Sequence, residues 1–342
     1  MRPQTLLENK GLPLGIRLED IWYTGHPLYL PLLPLSAVFA AGVWLRRRAY
    51  RGGLLRAGSL PVPVIVVGNI SVGGTGKTPL TIWICKFLKA NGMRPGVVSR
   101  GYGGHARSWP QQVRPDSDAF MVGDEALVIA RHCDGPVAVG PDRLACASAL
   151  LQHHHCDVIV CDDGLQHYRL GRDVEIAVVD GVRRHGNGHC LPAGPLREPV
   201  SRLKSVDMIV TNGIAGRGEF AMKYLSLPMR PVRGDRPGVA PPAPAQGVEV
   251  HAVAGTGNPD TFFNSLRMRG YRVHRHAFPD HHRYEMTDIC FNDGLPVIMT
   301  EKDAVKCSRF AGPEHWFEPI EADLPPVFGH RLLELLKRNS HG

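Results

Sequence analysis

The sequence predicts an α/β protein: a P-loop NTPase-type, doubly wound and mainly parallel sheet, a second smaller α/β domain and an apolar N-terminal helix. Three observations predict it. Short β-branched runs alternate with helical stretches, a glycine-rich turn ends in Gly-Lys-Thr between a strand and a helix, and a charge-free apolar stretch lies near the front. With 342 residues, 43% of them hydrophobic, the chain is long enough for two domains with real cores.

From Ile21 to Leu45 there is no Asp, Glu, Lys or Arg, and Leu28–Leu45 is almost wholly apolar. As a helix, those eighteen residues reach about 27 Å, near the thickness of a bilayer core. Arg46, Arg47, Arg48, Arg51 and Arg56 follow, as expected of a juxtamembrane stop held by anionic headgroups on the cytoplasmic face. A secretory signal places its positive charge before the apolar run, and here it comes after. Pro27, Pro31 and Pro34 are expected to break or kink the first half of the segment. Spanning and interfacial placements both remain open, and residues 1–56 are assigned to membrane association.

A core domain is expected over 57–228. Val64–Gly68, Arg94–Ser99, Pro136–Val139, Val158–Cys161, Ile176–Asp180 and Met208–Thr211 read as buried strands, with helical stretches at Pro79–Asn91 and Pro141–His153 between them. Residues 229–247, rich in Pro, Gly and Ala, read as a connection. A C-terminal α/β domain over 248–342 then offers strands Val248–Ala254, Val273–Ala277 and Pro296–Thr300 and a helix at Pro259–Gly270.

The chemistry centres on Gly73-Gly74-Thr75-Gly76-Lys77-Thr78, which follows the strand at Val64–Gly68 and opens the next helix. Glycines let backbone N–H groups close around phosphate oxygens, and the helix N-terminus adds positive potential. Lys77 reaches the β- and γ-phosphates of ATP in this reading, and the Thr78 hydroxyl ligates Mg²⁺. The usual pattern has a glycine where this chain has Ser71. Asp162 and Asp163 end another buried strand, so one or both hold Mg²⁺ at the same edge of the sheet.

Net charge and cysteines narrow the classes. A charge of +8 favours anionic partners. The basic cluster adjoins the apolar segment, and aromatic content is only 7%, which argues against a nucleic-acid module. The eight cysteines contain no C-x-x-C pair and read as reduced thiols in apolar stretches, without a disulfide frame or zinc site. His153-His154-His155 reads as a solvent-exposed loop. Gly255-Thr256-Gly257 lacks the third glycine of a dinucleotide fingerprint, Asp260 standing there, so no NAD site is assigned.

Taken in order, Gly68-Asn-Ile-Ser-Val-Gly-Gly-Thr-Gly-Lys-Thr78, Ser99-Arg-Gly-Tyr-Gly-Gly104, Gly123-Asp-Glu125, Asp162-Asp-Gly-Leu-Gln-His167, Leu191-Pro-Ala-Gly-Pro-Leu-Arg-Glu-Pro199, Phe278-Pro-Asp-His281 and Thr300-Glu-Lys-Asp303 resemble the motifs of the tetraacyldisaccharide 4′-kinase family of lipid A synthesis. The resemblance spans the chain. It implies transfer of the γ-phosphate of ATP, with Mg²⁺, to the 4′-hydroxyl of a tetraacylated glucosamine disaccharide 1-phosphate. It also implies work at the cytoplasmic face of the bacterial inner membrane, where an acylated acceptor resides. By the same resemblance Asp124 pairs with the histidine of the Asp-His motif, His281 rather than its neighbour His282, as the acid–base element. From spacing alone, Asp124 reads equally as a helix N-cap.

Four further groups are expected near nucleotide or phosphate. Arg100 follows a strand end, Arg197 and Glu198 lie in a Pro-Gly-rich loop, His167 follows the carboxylate pair, and Thr300–Asp303 either meets nucleotide or caps the next helix. The rival reading is a P-loop ATPase switch without a sugar acceptor. Such proteins typically carry a lysine where this chain has Val72.

Overall fold

A computed structural model of the chain describes residues 18–233 and 242–339. In chain order, α1 (Leu18–Tyr23) and α2 (Tyr29–Arg51) precede β1 (Val64–Gly68), α3 (Lys77–Ala90), β2 (Pro95–Ser99), β3 (Gln111–Val113), α4 (Ala119–Val122), α5 (Asp124–His132), β4 (Val137–Val139) and α6 (Arg143–His153). β5 (Val158–Cys161), β6 (Val174–Asp180), β7 (Met208–Asn212) and β8 (Phe220–Ser226) complete the first run. The second run is β9 (Arg230–Pro231), β10 (Glu249–Ala254), α7 (Pro259–Met268), β11 (Arg272–Ala277), α8 (Met286–Ile289), β12 (Val297–Thr300), α9 (Glu301–Cys307) and β13 (His315–Glu318). β14 (Ile320–Asp323) and α10 (Pro326–Asn339) follow.

A nine-stranded sheet has the order β14-β8-β7-β6-β1-β5-β2-β4-β3, and a five-stranded sheet the order β11-β10-β12-β13-β9. Pairing is parallel except at the edges, where β3 runs against β4, β14 against β8 and β9 against β13. β1, β2 and β5 are buried at every residue, as strands covered by helices on both faces must be. The first sheet is therefore doubly wound, as the strand–helix alternation predicts.

The domain division differs from the sequence reading at its far end. β14 joins the first sheet through β8, and Phe328, Leu332, Leu335 and Leu336 of α10 pack into the first core. Phe328 meets Trp83 of α3 edge-on, with ring centroids 5.4 Å apart. The second domain is thus an insertion into the first rather than everything after residue 248. Of the expected connection at 229–247, residues 234–241 lie outside the described residues, while β9 belongs to the second sheet.

Pro27 falls in the break between α1 and α2, as expected, but Pro31 and Pro34 do not interrupt α2, one helix of 23 residues. Pro31 sits in the first turn, where an amide has no intrahelical acceptor, and Pro34 forfeits only the bond to Leu30 near the same end. One stripe of α2 docks on the domain. Tyr29 stacks on His189 at 5.4 Å, the Ser36 hydroxyl donates to the Cys190 carbonyl (2.7 Å), and Arg47 donates to the Ser205 hydroxyl (2.5 Å). The remaining surface is apolar and open: Leu30, Leu35, Val38, Trp44 and Leu45 are all exposed.

Candidate active site

β1 delivers the chain to the glycine-rich turn, and α3 begins at Lys77 with no side chain capping its first amides. Those amides face an anion site rather than a protein partner. Gly76 has φ +98°, and a Cβ there would lie 2.3 Å from the Tyr224 hydroxyl, so only glycine permits this turn. Asn69 braces the loop from inside, donating to the Gly73 carbonyl (3.4 Å) and the Thr75 hydroxyl (3.2 Å). Ser71 lies in a short antiparallel bridge to Leu196, and the Val72 amide donates to the Pro195 carbonyl at 2.8 Å. The departure at Ser71 thus falls where the loop is extended and already partnered.

At the end of neighbouring β5, Asp162 is fully buried and accepts from the Thr81 hydroxyl at 3.1 Å. Burial, together with the nearby charges of Glu125 and Asp163, pushes its carboxyl up to about 7. Asp163 sits 3.6 Å from Lys77 Nζ and 3.3 Å from Arg197 Nη1. Burial works to raise Asp163 as well, but Lys77, Arg197 and Arg143 outweigh it and hold the carboxyl below its ordinary value. Three clustered carboxylates, one of them buried without a cationic partner of its own, fit a divalent cation beside the turn.

Asp124 and His281 meet across the two domains, although 157 positions separate them. Both Asp124 oxygens lie 3.2 Å from His281 Nδ1. Gly123 (φ +91°), not Asp124, occupies the helix cap; a Cβ there would lie 2.6 Å from the Tyr102 carbonyl oxygen. The Asp124 carboxylate accepts from the Glu125 amide (2.8 Å) and still presents both oxygens to the imidazole. Burial alone would raise Asp124, yet the His281 hydrogen bond and the charges of Lys302 and Lys306 bring it to about 2. Burial would lower His281, and the hydrogen bond and charge of Asp124 overcome this, so its pKa is raised. Tyr102 leans against the ring, centroids 4.6 Å apart. His282 turns away, bonding Asp288 at 3.1 Å and stacking on Phe278.

The remaining expectations divide. Arg100 is exposed and lies over the Tyr102 ring at 5.8 Å, the same ring that leans on His281. Glu198 is 1% exposed and accepts from Gln166 (2.8 Å) and Tyr168 (2.5 Å), with Arg202 at 3.4 Å. It braces the loop beside Arg197, and Gln166 links it to the Asn69 carbonyl at the start of the turn (2.8 Å). Thr300 caps α9, accepting from the Asp303 amide, while Glu301 pairs with His132 at 2.7 Å. That cluster joins the domains and caps a helix.

Other groups crowd the site, of which sequence reading missed Lys306 and Arg143 and named Lys302 only within the Thr300–Asp303 cluster. Lys302 Nζ donates to Glu125 (3.0 Å) and Asp280 (2.9 Å), and Lys306 Nζ lies 3.5 Å from Asp124. The i, i+4 spacing of these lysines after a strand end was the available signal. Buried Arg143 and half-buried His167 each leave a guanidinium or ring nitrogen without a hydrogen bond, His167 Nε2 lying 3.8 Å from Asp142, and burial and Arg143 push His167 down to about 4. Gly257 comes so near the cradle that a Cβ there would lie 3.6 Å from the Gly74 amide nitrogen, and its carbonyl accepts from Arg183 at 3.0 Å. The turn that fails as a dinucleotide fingerprint is instead the second domain's approach to the phosphate loop.

A phosphate loop, a cation-seeking carboxylate cluster and a carboxylate–imidazole pair facing them from across a cleft define a P-loop phosphotransferase. The comparisons carry this further. The family model for tetraacyldisaccharide-1-P 4′-kinase matches residues 28–337, and the chain belongs to that family. It is 52% identical to the tetraacyldisaccharide 4′-kinase of Nitrosococcus oceani over 317 residues, 93% of each chain. It is 54% identical to that of Alkalilimnicola ehrlichii over 308 residues, 90% of this chain and 92% of the relative. A crystal structure of LpxK from Aquifex aeolicus in complex with ATP superposes with a TM-score of 0.74 at 25% identity, covering 90% of this chain and 99% of that one.

Proposed function

We infer that the chain transfers the γ-phosphate of ATP to the 4′-hydroxyl of a tetraacylated glucosamine disaccharide 1-phosphate, an ATP- and Mg²⁺-dependent kinase step of lipid A synthesis. Family membership supports the reaction, and the meeting of Asp124 with His281 across the cleft is the observation that carries the mechanism. Phosphoryl transfer needs little covalent help, so positioning and charge neutralisation dominate. The amides of Gly73–Gly76 and the Lys77 ammonium hold the triphosphate, and Arg197 adds a cation beside Asp163. His281 Nε2, the nitrogen not taken by Asp124, receives the proton of the acceptor hydroxyl, while Asp124 fixes the ring and stabilises its charged form. The Arg143 guanidinium, whose Nε has no hydrogen bond, with Arg46 of α2 close to His167, suits an anionic group of the acceptor.

Thr78, Asp162 and Asp163 would hold Mg²⁺, which would supply positive charge to neutralise the transferring phosphoryl group. A proton competes for Asp162, whose carboxyl sits at about 7. Apparent Mg²⁺ affinity is therefore expected to weaken about tenfold for each unit that pH falls below that value, and to lose this dependence in Asp162→Asn. The Mg²⁺ dependence of transfer, measured on either side of neutrality, checks it; equal slopes in the two proteins would rule the assignment out.

The exposed face of α2 seats the enzyme on the inner membrane surface, where the acylated acceptor lies. Transfer from labelled ATP should occur with acylated disaccharide 1-phosphate in vesicles. Val38→Asp combined with Leu45→Asp should release the protein from vesicles and reduce that transfer by about tenfold or more, each buried charge costing a few kcal/mol. Detergent-dispersed acceptor should remain a substrate for the double variant. Undiminished vesicle sedimentation of that variant would remove α2 from the membrane contact, and absence of any phosphorylated lipid would overturn the kinase reading itself.

A further inference from the structure

The second domain carries a cluster of imidazoles that phosphoryl transfer does not use. His274 and His276 alternate along the edge strand β11, and His251 on β10 is in register with His274. The three rings gather on one side of the sheet: His251 lies 5.3 Å from His274 and 5.0 Å from His276 between centroids. His251 Nε2 contacts Asp293 Oδ2 at 2.8 Å, and His251 Nδ1 faces His276 Nε2 at 2.9 Å. His274 Nε2 lies 3.2 Å from Glu249 Oε2. Phe291 stacks on both His251 (3.8 Å) and His276 (4.2 Å), closing one side of the cluster.

We propose that His251, His276 and His274 form a binding site for a borderline divalent cation of the Zn²⁺ or Ni²⁺ kind, on the outer edge of the second domain. The carboxylate of Asp293 requires the proton of His251 to sit on Nε2, which aims the Nδ1 lone pair at His276. Two nitrogens each about 2.0–2.1 Å from one cation stand about 2.9 Å apart at right angles and about 3.4 Å apart in a tetrahedron. The observed 2.9 Å lies at the near end of that range. In the proton-bridged pair His276 donates from Nε2; moving that proton to Nδ1 frees the lone pair without net loss of a proton. Rotation of the exposed His274 ring away from Glu249 supplies the third donor. Imidazole donors select Zn²⁺, Ni²⁺ or Cu²⁺ over Mg²⁺, so the site does not compete for the kinase cation.

A second candidate, Cys290 with Glu314 and His315, is closed by its own hydrogen bonds. His315 Nδ1 accepts from the Gly312 amide at 2.9 Å, and its Nε2 faces the Ile289 carbonyl at 3.1 Å.

The test is Zn²⁺ titration of tag-free, chelator-stripped full-length protein against a chromophoric competitor, with Co²⁺ absorption as a second probe. One equivalent is expected in the wild type, and also in a control with His153, His154 and His155 replaced by Asn. Affinity should fall at least about 100-fold in His276→Asn, and about 10- to 100-fold in Asp293→Asn, as loss of a ligand-orienting carboxylate does elsewhere. Zn²⁺ should raise the melting temperature of the wild type but not of His276→Asn. Wild-type affinity in His276→Asn, loss confined to the 153–155 control, or no uptake by the wild type would each overturn the proposal.

Discussion

Lys77→Ala should lower the rate of phosphoryl transfer by about 10³-fold while the protein stays folded. The magnitude follows from removing one preorganised positive charge from the place where charge shifts in the transition state. Lys77 is held between the phosphate loop and Asp163, with only 11% of its side chain exposed, so no mobile surface cation can take its place. Its loss also leaves Asp163 balanced only by Arg197 and Arg143. Lys77→Arg should not rescue the rate, because a planar fork does not match the point charge that the closed loop accommodates. Single-turnover transfer and a melting curve on the same sample check this. A variant retaining a tenth of wild-type turnover would show that the turn at residues 73–78 is not the catalytic phosphate cradle.

The next largest effect is expected at the interdomain pair, where His281→Ala should cost about 10²- to 10⁴-fold in kcat with ATP binding retained. The informative companion is Asp124→Asn. Asp124 raises the His281 pKa, so wild-type kcat should climb with pH as the imidazole loses its proton through that raised value. Removing the carboxylate removes the main raising influence and leaves burial and Lys302, which lower it, against the smaller raising influence of Asp280. The acid limb should therefore move to lower pH while the plateau drops. Stability carries opposite signs at the two partners. The His281 contribution is complete below the ordinary imidazole value near 6.5 and fades as pH rises through its raised pKa. The Asp124 contribution is present above the ordinary carboxylate value and is lost only as pH falls through about 2. A pH profile for Asp124→Asn that overlays the wild type would remove the pair from catalysis.

The phosphate loop was legible because every part of it is local: strand, glycines, lysine and helix follow one another within fifteen residues, Val64 to Thr78. The buried strands were legible for the same reason, as β-branched runs need no partner to be recognised. β8 and β14 were not. One carries Lys223 and Tyr224 and the other Glu321 and Asp323, and their pairing is a matter of which distant segment lies alongside. An amphipathic helix such as α10 shows that it has a core-facing stripe but not which core it covers, and so the return to the first domain was invisible. Glu198 reads as a functional charge in a rigid loop, and only the fold reveals Tyr168, Gln166 and Arg202 waiting around it. Lys302 was legible only as one member of a charged cluster, and Lys306 not at all, for a related reason. Their partners Glu125 and Asp124 belong to the other domain.

Synthesis order gives the late return of β14 and α10 a further meaning. α2 leaves the ribosome long before residues 320–339, yet those residues supply the border strand of the large sheet and the aromatic cover over α3, whose first turn is the cradle. The nascent chain can therefore present α2 while its ATP-binding lobe is still unfinished. A kinase assembled in this sequence gains its grip on nucleotide only when that late segment closes the large sheet.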